Sequence, residues 1–151
     1  SGQVLTSSTA IVHYLDMLHP QPVLIGDTPQ QRAEVMDLDW RIENEGFMAV
    51  GEAFRNRARS FANNALTGKH EFAQIPDLVS RGAQRTVHFF EWLNDLLAQR
   101  QYIAGERFTL ADITAFVTVE FAGWIKQTPA AELVHLQRWL TEVSARESAR
   151  V

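Results

Sequence analysis

Two adjacent hydroxyls, Ser7 and Ser8, precede an apolar-periodic stretch and are the first residues with a chemistry to offer. A helix N-terminus presents free N–H groups and the positive end of its dipole, so it suits a carboxylate or a phosphate. Simple N-capping accounts for the same two serines, and from spacing alone it weighs more. Gly51 and Arg55 lie one turn apart in a longer helical pattern. They read either as a pocket beside a guanidinium or as a packed glycine and a surface arginine, and spacing favours the second. Thr109 and Asp112 stand three apart at the head of an apolar run, with Phe108 and Ile113 placed to staple the turn. That is a capping box, in which the carboxylate reaches back to the N–H of Thr109. It gives Asp112 a structural explanation in preference to a catalytic one.

Other chemistries find little support. The five histidines are scattered, with no pair at helical spacing for a metal, so no metal site is expected. Glu43 and Glu45 are two apart, lie on different sides of a helix, and read as solvated charges. There is no glycine-rich nucleotide loop. The absence of cysteine removes disulfides, thiolate zinc sites and a cysteine nucleophile, and fits a reducing, cytoplasmic setting. A net charge of −4 argues against a nucleic-acid partner. With 46% hydrophobic and 21% charged residues over 151 positions, the chain reads as one soluble domain. Asp112 and Glu120 interrupt its most apolar stretch, so no membrane span is expected. No signal peptide is visible. The lack of an initiator Met, and a start just ahead of a helix cap, fit a processed chain or a piece of a longer one.

The elements that would position these residues are helical. A short helix over 9–18 ends at His19-Pro20-Gln21-Pro22, and 23–26 reads as an extended linker. Asp27-Thr28-Pro29 starts a helix running to about Arg57, with proline at its tolerated first position. Gly46 and Gly51 inside it mark a bend, close packing or room for a ligand. A loop over 58–74, perforated by Asn63, Asn64 and Gly68, leads to a helix from Pro76 to about Arg100. The capped helix follows from Thr109. Being apolar on nearly every side, it reads as a buried rod that the others wrap. Thr128-Pro129 breaks the chain before a last helix over 131–146. The expectation is all-α: five helices and one core.

Three pieces of the chain resemble the cytosolic glutathione S-transferase family, bacterial type. LTSSTAIVHYLD, Leu5 to Asp16, is similar to the family's Leu-x-Glu-Ser-x-Ala-Ile-x-x-Tyr-Leu at the end of its thioredoxin-like domain. YIAGERFTLADI, Tyr102 to Ile113, resembles its Ala-Gly-x-x-Phe-Ser/Thr-x-Ala-Asp segment. HLQRWLTEVSARES, His135 to Ser148, resembles its Leu-x-x-Trp-x-x-x-Val-x-x-Arg-Pro-Ser ending, with Glu147 in place of proline. The three occur in the family's order and spacing.

The resemblance implies that 1–18 is a remnant of the thioredoxin-like domain, 19–28 a linker, and 29–151 the C-terminal helical domain. It implies glutathione as co-substrate, held at its γ-glutamyl end by Ser7 and Ser8, with Ser7 standing where Glu or Gln is usual. It also implies a small hydrophobic electrophile bound against the long and the central helix. Phe47, Met48, Gly51, Phe54, Arg55, Phe121 and Trp124 are the candidates for that wall. The thiolate-stabilising Tyr, Ser or Cys of the family belongs to the domain largely missing here, so this piece alone is expected to be inactive. A two-fold homodimer of the full protein is implied, with Val35, Trp40 and Arg41 at the front of the long helix taking part. The rival expectation is a non-catalytic interaction module of the same fold.

Overall fold

The computed structural model describes Gly2 and residues 4–149; Ser1, Gln3, Arg150 and Val151 lie outside the described residues. Helix α1 spans Ser8–Leu18, and the Ser7 hydroxyl caps it by accepting the Ala10 N–H at 3.4 Å. Helix α2, Pro29–Arg41, starts at a capping box between Thr28 and Gln31. It runs through a π-helical turn, Ile42–Phe47, directly into α3, Met48–Arg57. The chain then turns through Arg59–Phe61 and a loop to α4, Pro76–Leu97. Helix α5, Leu110–Ala122, tightens into a short 3-10 turn, Gly123–Ile125, and α6 spans Val134–Ser144. Counting α2 to α3 as one rod, these are the five expected helices of an all-α fold. Among the described residues there are two isolated bridges, Asn64–Phe72 and Tyr102–Gly105, and no strand.

Two glycines show why the rods meet where they do. A Cβ on Gly46 would lie 2.6 Å from Cζ of Phe89, so the π turn is where the α4 aromatic presses onto bare backbone. A Cβ on Gly82 would lie 2.6 Å from the Ala49 carbonyl oxygen, which lets α4 run close along α3. Gly51, by contrast, faces open space. The core then gathers Ile42, Phe89, Leu93, Leu97, Leu136 and Trp139 between these rods and α6.

Several helix ends are closed by distant residues. The Leu24 carbonyl accepts the Leu110 N–H at 2.9 Å, so the segment ahead of α2 seals the first turn of α5 while burying Ile25. Asn94 on α4 accepts the N–H groups of His135 and Leu136 at 3.1 and 3.3 Å. These bonds supply α6 with a cap that Leu133 lacks, and they fit its start at Val134. Arg138 returns the favour, donating to the carbonyls of Leu97 and Arg100 at the end of α4.

Helix α5 is not the fully wrapped rod expected from its composition. Ala111, Ala115, Thr118 and Ala122 face inward, where small side chains allow close approach to α2 and the π turn. Ile113, Val117 and Trp124 line an outer stripe that stays exposed. An apolar stripe shows that a surface is to be dried, not that this stretch of chain dries it. Val35 is likewise in the core, at 3% exposure, and is not part of the outer front of the long helix; Trp40 is. Arg41 stacks on Trp92 at 4.3 Å and pairs with Glu45.

Candidate functional site

Asp112 organises the floor of the molecule. Its Oδ2 accepts the Thr109 N–H at 2.8 Å and the Thr109 hydroxyl at 3.0 Å. Its Oδ1 accepts the Ile103 N–H and the Trp139 indole N–H, both at 2.9 Å. One carboxylate therefore ties the start of α5, the loop before it and α6. Burial pushes the Asp112 carboxyl above its usual range, and the four donors draw it back. All four are structural groups, and Asp112 itself lines neither the cleft at α1 nor the aromatic hollow.

A cleft of about 170 Å³ lies between α1, α2 and α5. Ser8, Thr9 and His13 line it from α1, Asp39, Trp40 and Glu43 from the long rod, and Thr114 from α5. Thr114 donates to Asp39 Oδ1 and to the Leu110 carbonyl. Burial pushes the Asp39 carboxyl up against that hydrogen bond, and burial followed by the Asp39 charge pushes Glu43 up. The result is a helix N-terminus with a hydroxyl facing a pair of acids whose charged forms are destabilised. An arrangement with both signs of charge preference suits a zwitterionic ligand end.

The second concavity is aromatic. Phe54 stands edge to face with Phe121 at 5.4 Å and with Trp124 at 5.5 Å, and Phe47 lies tilted against Phe121 at 5.4 Å. Such pairs lock one another's orientation. Phe47, Val117, Glu120, Phe121 and Trp124 bound a shallow hollow of about 360 Å³ on this wall. Trp124 is 71% exposed, so its ring is available to a ligand.

The structure thus brings Phe47, Phe54, Phe121 and Trp124 together, with Met48 exposed on the same rod. Arg55 is aimed elsewhere: its Nε donates to the Ala65 carbonyl at 2.8 Å, its Nη2 to that of Asn64, and it stacks on Phe61. Ser8 lines the first cleft, while the Ser7 hydroxyl is engaged in capping α1. Glu45 is solvated as expected, but Glu43 is half-buried in the cleft beside Asp39. Asp39, His13, Thr114, Val117 and Glu120 were not legible as site residues. The i,i+4 pair Asp39 and Glu43 was a usable signal; the Asp39–Thr114 contact, 75 residues apart, was not. Among the described residues no three His, Asp or Glu side chains converge as metal ligands, and no helix is long and apolar enough to cross a membrane.

A capped α5 on such a bundle, with one cleft at the α1 N-terminus and an aromatic wall beside it, defines a glutathione-transferase-type helical domain. The family model for the glutathione S-transferase C-terminal domain matches residues 76–142. A glutathione S-transferase domain-containing protein of Marinobacter aquaeolei is 32% identical, with a TM-score of 0.85, over 96% of this chain and 68% of its own. Glutathione S-transferase 2 of Saccharomyces cerevisiae is 28% identical over 99% of this chain. The crystal structure of Gtt2 from the same yeast superposes with a TM-score of 0.87 at 26% identity, over 99% of this chain and 69% of its own. The chain belongs to the glutathione S-transferase family. It spans 62% of the length of the curated yeast relative.

Proposed function

We propose that this chain is the electrophile-binding half of a glutathione S-transferase that joins glutathione to small hydrophobic electrophiles. The observation that carries the reading is the aromatic wall in which Phe47 and Trp124 are exposed and Phe54 and Phe121 half-buried behind them, next to a cleft that opens at the α1 N-terminus. In this reading 1–18 completes a thioredoxin-like domain, and 29–151 is the helical domain. The Ser8 hydroxyl and the first N–H groups of α1 take the γ-glutamyl carboxylate. Asp39 and Glu43, across the cleft, serve the ammonium that Ser7 cannot. Glutathione supplies the sulfur nucleophile, and its thiolate is stabilised by a group of the thioredoxin-like half. Met48 and Gly51 extend the wall, and Arg55 supports it by fixing the loop to which Phe61 belongs. The full protein is a cytoplasmic homodimer with Trp40 at its interface.

The test is expression of the whole gene, followed by conjugation assays with an aromatic chloride and calorimetry with glutathione. Turnover that falls at least tenfold in Trp124→Ala, with glutathione affinity unchanged, is the expected result. Neither turnover nor glutathione binding in the whole protein would refute the reading. The 151-residue chain by itself should bind aromatic ligands without catalysing conjugation.

A further inference from the structure

We infer that the aromatic wall sorts its ligands by charge, taking cationic arenes ahead of neutral ones and neutral ones ahead of anionic ones. The inference rests on the reading of this wall as the electrophile site, and it names the substrate class that site favours. Glu120 is the charged residue lining the hollow. It sits on the exposed stripe of α5, between Val117 and Trp124, and makes no ion pair among the described residues.

The cations nearest in sequence to the wall are committed elsewhere. Arg55 donates to the carbonyls of Asn64 and Ala65, and Arg57 donates to that of Ile125. Lys126 follows the 3-10 turn but does not line the hollow. An incoming ligand therefore meets three aromatic side chains, Val117 and one carboxylate. Ring faces carry negative quadrupole potential, so they attract a cation and repel an anion, with tryptophan the strongest. Glu120 acts in the same direction, and the chain's net charge of −4 adds to it at long range. At an exposed site each effect is worth about two- to fivefold in affinity, so a matched cation and anion should differ by about tenfold.

The test is a series on one ring system: 1-naphthylmethylammonium, 1-naphthalenemethanol and 1-naphthoate. Each is titrated into the nitrogen-labelled chain while the Trp124 indole N–H resonance, assigned with Trp124→Phe, is followed. Binding should rank cation, neutral, anion, with the spread shrinking at high salt. Glu120→Gln should bring cation and anion to within about threefold, and Glu120→Lys should favour the anion. The charge selection is overturned if naphthoate binds the native chain as tightly as the alcohol, or if the full spread between cation and anion survives in Glu120→Gln. Absence of any shift at Trp124 with all three compounds would overturn both this inference and the electrophile-site reading. Binding without ranking would overturn the inference alone.

Discussion

Replacing Asp112 by alanine should cost far more than the loss of a helix cap. A cap alone is worth about 0.5–2 kcal/mol. Here the side chain is fully buried and accepts four hydrogen bonds. Alanine leaves the N–H groups of Ile103, Thr109 and Trp139 without acceptors, while the Thr109 hydroxyl can rotate to another. Each buried orphan costs about 1–3 kcal/mol, and partial relaxation brings the expected loss to about 3–5 kcal/mol. At about 2–4 °C per kcal/mol for a chain of this size, the melting temperature should fall by about 10 °C. Urea unfolding followed by far-UV circular dichroism is the assay. Asp112→Asn keeps one acceptor oxygen and should lose about 1–3 kcal/mol. Trp139→Phe removes one donor and retains most of the ring. A double-mutant cycle between Asp112→Ala and Trp139→Phe should therefore show coupling of about 0.5–3 kcal/mol. A loss below 2 kcal/mol for the alanine variant, together with no coupling, would refute the hub and leave only a cap.

Gly46→Ala should destabilise by about 1–3 kcal/mol, because its Cβ would meet the Phe89 ring at 2.6 Å. Gly51→Ala, facing open space, should stabilise by about 0.5–1 kcal/mol; thermal melts of the pair check the contrast. Asp39 is held above its usual value, chiefly by burial, so its favourable contribution is full below about 3.8 and lost as pH rises through the folded pKa. Asp39→Asn should thus raise stability at pH 7 and lose that advantage below pH 3.8, read from urea midpoints across pH. Glu52 has the opposite sign: the hydrogen bond from Arg81 holds its carboxyl low. Its contribution is present above 4.5 and is lost as pH falls toward the folded pKa, so Glu52→Gln should flatten the acid limb of the same profile.

The sequence by itself determined where α1, α2, α4 and α5 begin, to within a residue, and which family the helices compose, but it placed the start of the last helix at 131 where the structure has Val134. Those signals are local: Pro20 and Pro22 stop α1, Thr28-Pro29 opens α2, and Thr109 meets Asp112 within one turn. Hydrogen bonds spanning three or four residues depend on spacing, and spacing is what a sequence displays. Tertiary structure decided everything that joins residues tens of positions apart. It gave Asp112 the Trp139 indole, gave α6 its cap from Asn94, and set Thr114 against Asp39. It turned Arg55 away from the wall and onto the loop carbonyls. It also left the outer stripe of α5 open, with Glu120 between Val117 and Trp124. Hydrophobicity along a chain records which surfaces must lose water; only packing decides whether a neighbouring helix or a ligand removes it.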